Sequence, residues 1–269
     1  MARGQEADLL PAAEAAEDFV KKARGILVTE TLTQRVFSAE PDNLPQYKTR
    51  EIISELGYAT LGADKPMWHE LRKVVSRDGK RVTEVKKARA KLVLGLKTDD
   101  ERLRMKMLND FASHALGDVA TDYGLSLLAF RESELALMRF ETLDTERIGA
   151  DTVTRIRFHK LAGEGMITIF EGRQAIRKPL QGILWLRQSD HELLRIRVVS
   201  EFQMGTLTIV DQGEIDYGRA SFGVLVPLSV THRRSVGGVA RVENVFQYTN
   251  HQMFGASADI KFTGLAEKP

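Results

Sequence analysis

Leu193-Leu194-Arg195-Ile196-Arg197-Val198-Val199-Ser200-Glu201-Phe202 is the stretch on which the fold turns. Leu194, Ile196, Val198 and Phe202 alternate with Arg195, Arg197 and Glu201, the two-residue period of a strand that buries one face. The period continues through Leu207 and Ile209, then through Ile215 and Tyr217, across an irregular Asp211-Gln212-Gly213. Val224, Val226, Leu228 and Val230 form the next apolar face, and Gly237-Gly238 turns the chain into Ala240, Val242, Phe246 and Tyr248. Residues 135–262 therefore read as successive antiparallel strands of one large sheet.

Upstream, Val28, Leu32 and Val36 share a strand face, and Pro41-Asp42-Asn43-Leu44-Pro45 is a turn. Tyr47–Leu61 and Met67–Ser76 follow as long strands, the second ending in the turn Arg77-Asp78-Gly79-Lys80, so residues 26–82 form a meander. Helical sequence flanks and interrupts the strands. Residues 12–25 read as an N-terminal helix, with Pro11 suited to its first turn and Gly25 closing it. Residues 84–130 read as a helical segment, with a capping box at Thr98-Asp99-Asp100-Glu101 and an apolar stripe of Leu103, Met107, Phe111 and Ala115. Leu108, Ala112 and Val119 flank that stripe, and Gly117 and Gly124 divide the segment. A sheet with one apolar face and few helices to cover it must curl. The expected architecture is a single α+β domain over 1–269: a strongly curved antiparallel half-barrel with an N-terminal helix and a mid-chain helical lid.

Composition limits the chemistry. The 269 residues contain no cysteine, which excludes disulfides, thiolate zinc sites, iron–sulfur clusters and a cysteine nucleophile. The 39 Lys and Arg nearly balance 37 Asp and Glu, so the net charge of +2 is no nucleic-acid footprint. That balance conceals segregation: residues 1–20 hold one Arg against five acids, whereas Arg72 to Lys106 holds thirteen Lys or Arg against five acids, a local +8. The first residues contain no apolar core of a signal peptide, and no run approaches a membrane-spanning length. Either a cytosolic protein or an exported one after cleavage is consistent with this.

Catalytic and metal-binding patterns are not found. His69, His114, His159, His191, His232 and His251 lie far apart, with no pair spaced to ligate a metal from one element. Gly163-Glu164-Gly165 reads as a hairpin, Asp190-His191-Glu192 as a polar turn, and Asp99, Asp100 and Glu101 as acids in a first helical turn. Glu214 and Asp216 share a solvated strand face. We expect no catalytic residue, metal or cofactor. Lys86, Lys87, Arg89 and Lys91 are candidates for contact with an anionic membrane surface, and they lack the interleaved aromatics of a single-strand nucleic-acid site. Candidates to line an apolar cavity beneath the lid are Met107, Phe111, Trp185, Ile196, Val198 and Leu207, with Ile209, Val226, Leu228, Phe246 and Tyr248.

A resemblance adds to this reading. Pro66-Met67-Trp68-His69-Glu70 and Arg77-Asp78-Gly79-Lys80-Arg81-Val82 precede the helical middle; Gly182-Ile183-Leu184-Trp185-Leu186, Leu194-Arg195-Ile196 and Tyr248-Thr249-Asn250 follow it. This order resembles a group of uncharacterised secreted bacterial proteins with a G-x-L-W strand, an L-R strand and a closing aromatic Y-[ST]-N segment. Over about Ala12 to Phe262 the architecture is similar to the periplasmic lipoprotein-carrier (LolA-like, outer-membrane lipoprotein-sorting) superfamily. The resemblance implies a periplasmic or secreted, non-enzymatic protein that binds a lipid or lipoprotein. The carriers' ligand-gating Arg falls on no motif of this chain, so no functional residue is carried over. The alternatives are a hydrolase with dispersed His, Asp and Glu residues, and a protein-interaction module.

Overall fold

The computed structural model describes residues 3–38, 47–62, 66–98, 100–117, 119–161, 167–171, 174–178 and 181–254. The turn at 41–45, the hairpin at 163–165, Asp99 and residues 255–262 lie outside them. Helix α1 (Arg3–Lys22) and a short 3₁₀ turn lead into β1 (Ile26–Phe37), β2 (Tyr47–Leu61), β3 (Met67–Arg77) and β4 (Lys80–Arg81). Helices α2 (Val85–Lys97) and α3 (Glu101–Ala112), strand β5 (Ala120–Thr121), a 3₁₀ segment (Tyr123–Phe130) and α4 (Glu132–Leu135) form the middle. Strands β6 (Met138–Ile148), β7 (Asp151–Lys160), β8 (Ile167–Glu171), β9 (Gln174–Lys178) and β10 (Gln181–Arg187) come next. The chain continues through β11 (Leu193–Met204), β12 (Leu207–Arg219), β13 (Leu225–Val236) and β14 (Val239–Met253).

Eleven strands form one open antiparallel sheet, ordered β4-β3-β2-β1-β14-β13-β12-β11-β10-β7-β6, so β1 and β14 pair near its middle. Strands β5, β8 and β9 form a separate small sheet, where the sequence pattern suggested a single one. The curl follows from contact geometry. The 3₁₀ segment touches both β3 and β11, which are six strand positions apart. It also touches β12, β13 and α1, so one short segment packs across the concave face from β3 to β11. The sheet therefore wraps around this segment as a half-barrel.

The concave face is filled. Leu9, Ala12, Ala16 and Phe19 of α1, at helical spacing, join Leu125, Leu127, Leu128 and Phe130 in one cluster with Leu32, Leu56, Ile156, Leu184, Ile196, Val230 and Phe246. Helix α1 starts well before the expected Ala12, with Pro11 inside it. Burial of this apolar face outweighs the backbone hydrogen bond that proline removes.

The mid-chain helices do not form one lid. Leu27, Ala59, Leu61 and Leu71 belong to a second cluster with Leu92, Leu96, Met107 and Leu108. In β2, residues 52, 56 and 58 face the first cluster while 59 and 61 face the second, so α2 and the start of α3 lie on the opposite, outer face of β2–β3. Gly57 permits that approach: a Cβ there would lie 2.7 Å from Leu96 Cδ1. Only from Phe111 onward does the chain cross to the concave side. The expected sheet has one apolar face; these two strands have two.

Candidate functional site

A groove of about 660 Å³, open to solvent, lies between the β2–β3 end of the sheet and α3. Leu61 and Gly62 line it from β2 and the residue after it, Met67 and His69 from β3, and Glu101, Arg102, Met105, Lys106 and Asn109 from α3. Its volume falls within the range typical of small-ligand sites. The wall on α3 follows from amphipathicity. Leu103, Met107 and Leu108 turn inward, leaving Arg102, Met105, Lys106 and Asn109 as the outward stripe at spacings of three and four. The helix begins at Glu101, not Thr98: the Asp100 carboxylate accepts from the amides of Arg102 and Leu103, and Thr98 Oγ1 accepts from the Asp100 amide. Glu101 then caps the Gly62 amide. Buried Arg104 donates to the carbonyls of Thr60, Gly95, Leu96 and Thr98, which fixes α3 against the end of α2 and β2.

Behind the groove is a charged latch. Asp122, held in the left-handed region at φ 67°, takes the Glu70 amide (2.8 Å) on Oδ1 and contacts His69 Nδ1 (3.0 Å) with Oδ2. Its own amide donates to Glu70 Oε2 (2.9 Å), and the Gly124 amide donates to Glu70 Oε1 (3.0 Å). This reciprocal set ties the 3₁₀ segment to the edge of β3. Arg72 bridges two of the carboxylates: its Nε bonds both Glu30 oxygens (2.8 and 3.0 Å), and Nη2 reaches Glu30 (2.6 Å) and Glu70 (2.7 Å). Its guanidinium also lies 4.7 Å from the Phe111 ring centre and 5.6 Å from that of Phe246. Burial pushes the Glu70 carboxyl up to about 7, opposed by Arg72 and assisted by the charges of Asp122 and Glu30. Burial likewise raises Tyr58 and Tyr248.

A second buried polar row crosses β12–β14. His232 Nε2 contacts Asp211 Oδ1 (3.0 Å), Arg234 Nε donates to the same oxygen (2.8 Å), and Asn244 contacts His232 Nδ1 (3.0 Å). Tyr123 lies over this row, its ring centre 5.1 Å from that of His232. Gly213 makes room, since a Cβ there would lie 2.2 Å from the Tyr123 ring. Asp211-Gln212-Gly213 is thus regular strand rather than an interruption. Burial lowers the His232 pKa; burial opposes ionisation of Asp211, but hydrogen bonds from His232 and Arg234 hold its pKa below the usual value.

Phe111, Ile196, Val198, Val226, Phe246 and Tyr248 lie in the concave cluster, whereas Met107 packs in the outer one. Ile209 is buried in β12. Leu207 and Leu228 are 46% and 45% exposed. Leu207 begins a strand beside a hairpin turn, and Leu228 is the extra residue of a bulge, since Asp216 pairs with Ser229 and Tyr217 with Pro227. A similar bulge at Leu194 places Leu193 in the core instead. Trp185 alternates with core Leu184 and Leu186 and so faces the other side, where its indole donates to Glu146 and Arg197 lies 5.3 Å above the ring centre. The Gly182 of that motif is required by packing: a Cβ would fall 1.7 Å from the Arg197 carbonyl oxygen. Glu214 and Asp216 pair with Arg197 and Arg195 (2.6 Å each). Lys86, Lys87 and Lys91 are exposed, and Arg89 pairs with Glu55 (2.7 Å). None of the eleven apolar candidates lines the groove. The signal that would have found it is the outward stripe of α3 read together with Met67 and His69.

Among the described residues, no group of three His, Asp or Glu side chains is placed to hold a metal, and no helix is long and apolar enough to cross a membrane. No family model matches the chain, and no curated protein matches it. Among solved structures it is similar to a DUF1329 family protein from Desulfovibrio piger, at 8% identity and TM-score 0.41, covering 94% of this chain and 95% of that one. It is similar also to a putative outer membrane lipoprotein-sorting protein domain from Vibrio parahaemolyticus, at 8% identity and TM-score 0.39, covering 92% and 94%. A third is the Pseudomonas aeruginosa MucA/MucB complex, at 8% identity and TM-score 0.22, covering 91% and 99%.

Proposed function

We propose that this chain is a non-enzymatic binding or carrier-type protein that holds a lipid acyl chain, or the lipid of a modified partner, between the sheet and α3. The groove carries the reading: Leu61, Met67 and Met105 supply an apolar floor, and Arg102 and Lys106 supply cations for an anionic head. Methionines suit such a site because their flexible thioethers adapt to chains of different shape. Each buried CH₂ contributes about 0.8 kcal/mol, so even a short stretch of chain gives useful affinity. The concave face is a poorer place for a ligand, since α1 and the 3₁₀ segment occupy it. The setting we propose is the periplasm, on the strength of the G-x-L-W and L-R strands at Gly182–Trp185 and Leu194–Arg195.

Titration with a fluorescent fatty acid tests this. Saturable binding that falls at least about tenfold in Met105→Glu, through a charge placed against the chain, supports it; no uptake, or uptake indifferent to Met105→Glu, overturns it. One observation favours a hydrolase instead: His69 borders the groove and is oriented by buried Asp122. Turnover of ester or peptide substrates that is lost in His69→Gln would establish that reading.

A further inference from the structure

We propose that the outward face of α2 docks this protein on an anionic lipid bilayer. At about 3.6 residues per turn, Lys87 and Leu94 fall on one line of the helix, with Lys86 and Lys97 to one side and Lys91 to the other. This arc is opposite the packed residues Ala88, Leu92, Gly95 and Leu96. Leu94 is 61% exposed in its centre. Lys86, Lys87 and Lys91 are exposed, and no ion pair engages them among the described residues; Lys97 lies 6.0 Å from the Phe254 ring centre. A helix that lacks acids on its outward face and carries an exposed leucine among four lysines matches a surface of lipid phosphates over hydrocarbon. Charge complementarity therefore selects anionic phospholipid as the occupant. The structural role of the helix is already met by its other face, which packs on Gly57 and Leu71, and by Arg89, which pairs with Glu55. The surface is separate from the groove, and neither needs the other.

Sedimentation of the full chain with vesicles tests the proposal, comparing phosphatidylcholine alone with phosphatidylcholine plus phosphatidylglycerol. Binding should require phosphatidylglycerol and weaken as salt rises. Each lysine near such a surface contributes about fivefold, so Lys86→Gln, Lys87→Gln, Lys91→Gln and Lys97→Gln together should reduce binding by more than about a hundredfold. Leu94→Gln, which leaves the charge unchanged, should reduce it by about tenfold. Removing Arg139 and Arg157 on β6–β7 should change it by less than about twofold, because they lie outside the docking face. All these side chains are on the surface; should the fourfold variant fold poorly by circular dichroism, Leu94→Gln and the Lys87→Gln, Lys91→Gln pair carry the test. Absence of preference for phosphatidylglycerol, or unimpaired binding by these variants, overturns the proposal. So does lysine-dependent capture of polyglutamate with no vesicle binding, which would make the face a protein-docking surface.

Discussion

Replacing Arg72 with Met tests whether the latch is held by charge. The guanidinium makes three contacts with Glu30 at 2.6–3.0 Å and one with Glu70 at 2.7 Å, and all three residues are buried. Methionine fills much of the volume between the Phe111 and Phe246 rings but leaves the Glu30 and Glu70 carboxylates, with Asp122 beside them, in a low-dielectric space without a cation. Breaking a buried pair from one side costs about 3–5 kcal/mol, a large part of the 5–15 kcal/mol or so that stabilises a typical domain. For a chain of this length that is a drop of roughly 6–20 °C in Tm. Urea unfolding followed by circular dichroism at neutral pH should show it. At pH 5 the deficit should shrink, because the unpaired carboxylates take up protons and the uncompensated charge disappears. Adding Glu30→Gln to Arg72→Met should recover part of the loss. A deficit below about 1 kcal/mol, in the range of an exposed pair, or one that does not depend on pH, would refute the reasoning.

Glu70→Gln should change how stability depends on pH. The folded carboxyl sits at about 7, above its ordinary 4.5, so the folded state holds more protons between those values and wild-type stability falls as pH rises through that window. The variant should show a flatter profile there in a series of urea melts. His232 contributes the opposite slope: burial depresses its pKa, so stability is lost as pH falls through its ordinary 6.5 and protonation of the unfolded chain is favoured. His232→Asn should remove that acid-side loss. Gly182→Ala should cost about 3 kcal/mol or more, or prevent soluble expression, because the methyl meets the Arg197 carbonyl across the β10–β11 ladder.

The strands and their antiparallel sheet, though not the order that pairs β1 with β14, follow from alternation such as Ile196, Val198 against Arg195, Arg197, because a strand with one solvated face displays its period directly. Two kinds of feature do not. Bulges at Leu194 and Leu228 shift the pattern by one residue, and nothing in the local composition distinguishes a bulged leucine from a core one. Strands β2 and β3 are apolar on both faces, so the period that locates a helix layer elsewhere is silent there and does not show that α2 and the start of α3 lie on the outer side. The latch was illegible for a different reason. Glu30, Glu70, Arg72 and Asp122 come from β1, β3 and the segment after β5, and only the fold brings them together. The outward stripe of α3 was visible as the complement of its apolar one, but the groove also needs the β2–β3 end to stand beside it.

Photo-crosslinking with a fatty acid that carries a diazirine on its chain, followed by mapping of the labelled peptides, tests the central claim most directly. The groove predicts adducts on the peptides that contain Leu61, Met67 and Met105, suppressed by unlabelled fatty acid and by Met105→Glu. Adducts concentrated on α1 or on Tyr123–Phe130, or labelling that unlabelled fatty acid does not compete away, would contradict it.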